Sequence, residues 1–280
     1  MKTVAVIGVG LMGGSLGIAL RHLFKNGSRQ YDVIGIGRNI KNLKLAKDKN
    51  AIDSYSTDIS AAKCADIIFI CSSVDTTVDI YKKIAAFANK KIIVCDIGSI
   101  KFNVDTKIKQ LQQKNKDYPA FIGCHPMCGI EQNGIEYASL DIYNNATVVI
   151  TANPKDKNTK IIAKLWKDIG CKTFFMSAKE HDETVAFTSH IPHIIAFSFY
   201  KMFREKRGKN KNIENLVAGS FKSLTRVAKS SPNMWIPIFL NNRDNLKVLS
   251  EELCKQIKDF VGTFGNEEKL KEILEKSIRQ

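Results

Sequence analysis

Near its start the chain reads Val4-Ala5-Val6-Ile7 and then Gly8-Val9-Gly10-Leu11-Met12-Gly13-Gly14-Ser15-Leu16-Gly17. Few patterns restrict a fold more tightly than an apolar strand entering a glycine-rich turn that opens a helix. Such a turn lets backbone N–H groups meet a pyrophosphate resting on the helix N-terminus. Gly8 permits the tight turn, Gly10 lets the backbone approach the phosphates, and Gly13 lets helix and strand pack closely. The pattern predicts a dinucleotide held by Gly8, Gly10, Leu11, Met12 and Gly13, a strand over residues 3–7 and a helix over 15–23. A bare GxGxxG serves many loops, but here both the strand and the helix are present.

Alternation of strand and helix patterns continues to Ser177. Apolar runs at 3–7, 32–36, 67–71, 91–96, 120–123, 146–151 and 173–177 read as strands. Helical stretches lie between them at 41–49, 76–88, 103–114 and 157–169, and Asp75 is placed to cap the second of these. Strands separated by helices make βαβ units, hence a doubly wound, mostly parallel sheet of Rossmann type. From Ala178 the period is helical over 180–203, 213–228, 233–259 and 265–278, with breaks at Pro192, Gly208, Pro232 and Gly262. At 280 residues and 44% hydrophobic, the chain can bury two modest cores. The expected organisation is a dinucleotide-binding domain, residues 1–177, followed by an all-α domain, residues 178–280, for substrate binding and dimerisation.

No run of about 18 apolar residues occurs, so no membrane span is expected. A strand beginning at Thr3 leaves no signal peptide expected either, which points to a cytoplasmic protein. The seven cysteines are an odd number, and Cys71 and Cys95 lie in apolar strands, which fits reduced thiols rather than a disulfide framework. Cys124-His125-Pro126-Met127-Cys128 lacks a second ligand pair, so no metal is expected. The net charge of +15 is mostly lysine scattered along helices, and the denser stretch 201–211 lacks the interleaved aromatics of a stacking platform. No nucleic-acid partner is expected; the positive field instead suits anionic substrates and NADP.

The choice of cofactor turns on the second strand. An acidic residue about 20 positions beyond the glycines accepts from the ribose 2′-OH in NAD-binding units. Here that place holds Gly37, followed by Arg38 and Asn39. Without the carboxylate a 2′-phosphate is not repelled, and the Arg38 guanidinium offers it a charge-assisted grip. NADP is therefore favoured, with NAD possible through Asn39 and backbone. Ser72, just past the strand at 67–71, is a further expected cofactor contact.

Ligands of open α/β sheets bind at the carboxyl ends of strands. Two such ends carry polar groups, Asp96-Ile97-Gly98-Ser99-Ile100-Lys101 and Gly123-Cys124-His125-Pro126. A histidine there accepts a hydroxyl proton as hydride leaves the carbon, a task suited to a pKa near neutrality. Ser99 either orients that imidazole, bonds the same hydroxyl, or caps the helix that follows. The helical half adds Ser189-His190-Ile191-Pro192-His193, with both histidines near a proline kink, and Arg226, suited to clamping a carboxylate.

Taken together, GVGLMGGSLG, DIGSIK, GCHPMCGIEQNGIEYA, SHIPH and FKSLTRVAKSSPNMW resemble the prephenate dehydrogenase family over almost the whole chain. The resemblance implies that His125 pairs with the substrate's ring hydroxyl and that Ser99 assists it, with His190, His193 and Arg226 binding the substrate. It implies oxidative decarboxylation of prephenate to 4-hydroxyphenylpyruvate in tyrosine biosynthesis, and a homodimer built on the helical halves. Cys128 stands where the family often has alanine, and Ser223 where it often has an aspartate, which removes any contact that aspartate makes. His193 at the end of SHIPH favours prephenate over arogenate, and a cationic imidazole there would suit the keto-acid side chain. Rival readings are a β-hydroxyacid-type dehydrogenase, which uses a lysine of its helical domain, and a nonenzymatic sensor of NADP(H).

Overall fold

A computed structural model describes residues 1–88, 90–130 and 132–278; residues 279–280, the end of the expected all-α domain, lie outside it. The chain divides into two compact units, one of residues 1–182 and 229–241, the other of 183–228 and 242–280.

The first unit is built on an eight-stranded sheet. Its strands are β1 (Lys2–Ile7), β4 (Tyr31–Ile36), β5 (Ser54–Ser56), β6 (Ile67–Ile70), β7 (Ile93–Asp96), β8 (Ala120–Pro126), β9 (Thr147–Ile150) and β10 (Lys172–Phe175). Two-residue strands β2 (Phe24–Lys25) and β3 (Ser28–Arg29) form a separate antiparallel hairpin. The sheet order is β10-β9-β8-β7-β6-β1-β4-β5. Every neighbouring pair is parallel except β8 and β9. Central strands are covered on both faces: each residue of β6 and β7 is buried, and Asp96 at the end of β7 is the one charged group among them, as a sheet covered by helices on both sides requires. The aromatic centre of this core is Trp166, whose ring packs against Phe69 at 5.7 Å and Tyr143 at 5.4 Å.

Helices α1 (Leu11–Arg21), α2 (Ile40–Asp48), α3 (Thr77–Ala85), α4 (Phe102–Lys114) and α5 (Lys157–Asp168) connect these strands. Helix α1 starts directly after Gly10, earlier than expected, because burial of Leu11 and Leu16 overrides the poor helix propensity of its glycines. Asp75 does not cap α3: residues 74–76 form a 3₁₀ turn, and the helix begins after Thr76 with no side-chain cap. Strand β5 and the hairpin were not expected; all three pieces are two or three residues long and largely polar. Helix α6 (Ala178–Val185) follows β10, and α9 (Pro232–Asn241) also belongs to this unit, where Asn103 Nδ2 donates to Asn241 O at 3.0 Å.

The second unit is helical among its described residues. It contains α7 (Ile191–Lys209), α8 (Gly219–Thr225), α10 (Arg243–Val261) and α11 (Glu267–Ile278). Pro192 sits in the first turn of α7, where its missing N–H leaves nothing unpaired. The expected kink is a π-helical turn, residues 186–190, immediately before it. Gly208 does not break the chain, since α7 runs on to Lys209. Helices α7 and α8 pack through Phe221, 5.6 Å from Phe199 and 4.5 Å from Phe203 between ring centres. All seven cysteines are free thiols, and no helix among the described residues is long and apolar enough to cross a membrane.

Candidate active site

The strand order reverses at β1, between β6 and β4, and there the first unit opens a cavity of about 750 Å³. Such switch points are where open α/β sheets bind ligands. Gly8, Gly10, Gly37, Arg38 and Ser72 line it, together with Asp58 and Lys83. Gly8 turns the chain at φ 98°, a conformation that L side chains rarely adopt, and a Cβ there would lie 2.8 Å from Cys71 O. A Cβ on Gly13 would lie 2.1 Å from Gly8 O, so that glycine allows α1 to sit against the turn. Above Gly10 nothing lies within 4 Å of a notional Cβ. The first N–H groups of α1, those of Leu11, Met12 and Gly13, have no carbonyl one turn back to bond. This open, donor-rich cradle fits the pyrophosphate of a nicotinamide dinucleotide.

Arg38 is exposed on the cavity wall just past β4. The Asn39 side-chain carbonyl caps α2, accepting from Lys41 N at 2.9 Å and Asn42 N at 3.3 Å. The Ser72 hydroxyl bonds Thr76 Oγ1 at 2.9 Å.

Ser99 and His125 fall outside the lining of this cavity. Ser99 follows β7 and His125 ends β8, and both strands run parallel to β1, so the two residues stand on the same edge of the sheet as the glycine turn. Chain leaving β8 returns to the cradle: Ser139 N–H donates to Ser15 Oγ at 3.0 Å, and Tyr143 OH donates to Met12 O at 2.9 Å. Ser99 does not cap α4. The first N–H groups there, of Lys101 and Phe102, donate instead to the Asp182 carboxylate, each at 2.9 Å.

His125 is half-buried, and its Nδ1 lies 2.7 Å from His181 Nε2. His181 is fully buried, with Nδ1 2.7 Å from Asp182 Oδ1. Beside this chain lies a second buried cluster. Lys101 Nζ pairs with Asp96 Oδ2, both fully buried, while the Asp96 carboxylate also accepts from Gly98 N at 3.1 Å and Cys124 N at 3.3 Å. Burial raises the Asp96 carboxyl against the opposing pull of Lys101. It pushes Asp105 up to about 6, with Lys101 pulling down and Asp96 pushing further up. None of His181, Asp182, Asp96 or Lys101 was marked from sequence as a site residue.

In the second unit His190 is buried and its Nδ1 accepts from Asn242 Nδ2 at 3.2 Å. His193 Nδ1 donates to Ser189 O at 2.9 Å. Burial lowers the His193 pKa, with the Ser189 bond opposing it, so the imidazole is neutral near pH 7. The cationic ring expected there is not what the fold provides. Arg226 is exposed where α8 passes into a 3₁₀ turn, residues 226–229.

A glycine cradle at the switch point of a doubly wound sheet, with an imidazole at a strand end on the same edge, is the design of a nicotinamide-dependent oxidoreductase. The prephenate dehydrogenase nucleotide-binding domain matches residues 19–175, and the prephenate dehydrogenase dimerization domain matches residues 177–276. The chain belongs to the prephenate dehydrogenase family. It is 30% identical over 244 residues to prephenate dehydrogenase of Lactococcus lactis subsp. cremoris, covering 86% of this chain and 65% of that one. To cyclohexadienyl dehydrogenase of Zymomonas mobilis it is 31% identical over 262 residues, covering 92% and 86%. The crystal structure of prephenate dehydrogenase from Aquifex aeolicus in complex with hydroxyphenyl propionate and NAD+ superposes with a TM-score of 0.89 at 30% identity, covering 99% and 96%.

Proposed function

We propose that the protein converts prephenate to 4-hydroxyphenylpyruvate and CO₂ in tyrosine biosynthesis, using NADP in preference to NAD. The observation that carries this reading is the half-exposed imidazole of His125, placed by β8 on the edge of the sheet that bears the glycine cradle. A nicotinamide dinucleotide held by Gly8, Gly10, Leu11, Met12, Gly13 and Ser72 supplies the hydride acceptor. His125 takes up the ring-hydroxyl proton through Nε2, since its Nδ1 already bonds His181. The ring carboxylate departs as CO₂ and the ring becomes aromatic, which supplies driving force, so the side chains mainly position and polarise. Ser99 holds the same hydroxyl from the adjacent strand end. Arg226 grips a substrate carboxylate, and His190 and His193 are further substrate-binding residues. Resemblance to relatives named prephenate dehydrogenases supports prephenate over arogenate.

The end of β4 supports NADP: Gly37 and Arg38 follow it where a carboxylate would repel a 2′-phosphate, and both line the cavity, whose wall also carries Lys83, Asp58 and Asp79. The helical half supports a homodimer, because Ile257, Val261, Phe264 and Leu274 are exposed apolar residues within the stretch matched to a dimerization domain. The test is NADPH absorbance with prephenate and, side by side, arogenate. His125→Asn is expected to bind cofactor normally and lose at least about a hundredfold in kcat, the usual worth of a general base. Near-wild-type turnover overturns the assignment of the base, and a tenfold preference for NAD overturns that of the cofactor.

A further inference from the structure

We propose that His181 and Asp182 are positioning residues that fix the tautomer of His125 and so make its Nε2 the base; this rests on His125 being the proton acceptor. A carboxylate has no hydrogen to give. Asp182 takes the Lys101 and Phe102 N–H groups at 2.9 Å each, and its Oδ1 lies 2.7 Å from His181 Nδ1. That nitrogen must carry a proton, because a bare lone pair at 2.7 Å from a carboxylate oxygen would be repelled. We take His181 as the neutral imidazole, whose second nitrogen is then an acceptor. His181 Nε2 therefore accepts, and the atom facing it at 2.7 Å, His125 Nδ1, donates. Nε2 is then the unprotonated nitrogen of the His125 ring.

The arrangement is rigid at each link. His181 is fully buried and Asp182 is 3% exposed, so solvent has little access to exchange these bonds. The ring centroids lie 5.0 Å apart with the planes at 71°, and an N–H aimed at an in-plane lone pair permits such a twist about the bond. Asp182 is locked by the two backbone N–H groups at the start of α4. When His125 accepts its proton, the new positive charge faces an imidazole backed by this carboxylate, which stabilises the imidazolium. The same logic governs a carboxylate behind a catalytic imidazole in hydrolases, where exchange of aspartate for asparagine costs about 10⁴ in kcat through the wrong tautomer.

¹⁵N-histidine NMR of the wild-type protein tests this directly. The His125 signal, assigned from its loss in His125→Asn, should show the Nδ1–H tautomer, and the Nε2–H form overturns the proposal. His181→Ala removes the acceptor that faces His125 Nδ1. The expected result is a mixture of both tautomers at His125 and a kcat lowered at least about tenfold, with KM for prephenate and for the cofactor unchanged. A fully active His181→Ala alongside an inactive His125→Asn also overturns the proposal while leaving His125 as the base. An active His125→Asn removes the base itself, a failure read separately from the tautomer.

Discussion

Gly10 and Gly13 lie three residues apart in one turn, yet the structure gives them different tasks that two alanine variants separate. At Gly13 an added Cβ would sit 2.1 Å from Gly8 O, 3.0 Å from Cys71 Cβ and 3.1 Å from Val6 Cγ1. Non-bonded carbon contacts are comfortable at about 3.5–4.0 Å. The closest obstacle is backbone, held by the φ of 98° at Gly8 and by Gly8 N–H donating to Ile36 O at 2.8 Å, so it cannot swing aside. Overpacking costs about 1–3 kcal/mol, and the backbone clash puts Gly13→Ala at the upper end. Replacing glycine by alanine inside a helix returns about 1 kcal/mol. The net loss is about 2 kcal/mol, which lowers Tm by about 4–8 °C for a unit of this size.

Gly10 has the opposite profile. Its φ of −101° suits any residue and its notional Cβ meets nothing within 4 Å. Gly10→Ala should therefore change stability by no more than about 0.5 kcal/mol. The added methyl instead occupies the space that a pyrophosphate must enter, and cofactor affinity should fall at least tenfold, about 1.4 kcal/mol. Thermal unfolding without cofactor and equilibrium titration of NADP by intrinsic fluorescence read the two effects apart. A Gly13→Ala protein that melts with the wild type, or a Gly10→Ala protein that binds NADP normally, refutes the assignment of these roles.

Three more predictions follow from the buried charges and the helical half. The fold raises Asp105 from the ordinary 3.8 to about 6, so it favours the protonated form; that stabilisation is fully present below about pH 4 and is lost as pH rises through 6. Asp105→Asn should then exceed the wild type in stability by up to about 3 kcal/mol at pH 7 and match it near pH 4, and a pH-independent difference in urea midpoints refutes this. Lys101→Met leaves the fully buried Asp96 without its cation and should cost about 3–5 kcal/mol in chemical denaturation; a loss below about 1 kcal/mol means the pair is dispensable. Arg226→Ala should raise KM for prephenate at least about tenfold, the low end of a lost charge-assisted bond, with cofactor affinity unchanged. An unaltered KM removes Arg226 from the substrate site.

What the sequence disclosed was what depends on local chemistry. A strand that is apolar throughout, a turn that needs glycine at Gly8 and a helix that follows at once are all written within a dozen consecutive residues, and the doubly wound sheet grows from repeating that alternation. Short edge elements escaped because β5, with residues Ser54-Tyr55-Ser56, has no apolar period to detect and is held only by pairing with β4. Helix starts shifted where tertiary contacts outweighed propensity, as at Leu11, or where a cap arrives from far along the chain, as Asp182 does for α4. The candidate site divides along the same line. His125 could be singled out because an imidazole beside Pro126 interrupts an apolar strand end. His181 and Asp182 could not, because Lys179-Glu180-His181-Asp182-Glu183 reads as one solvated turn of helix. Their burial is created by folding 56 residues of chain back onto β8, so the constraint on them is a distance between two rings rather than a spacing in sequence. A residue that meets the substrate leaves a motif; a residue that acts through another is disclosed only by the hydrogen bond that joins them.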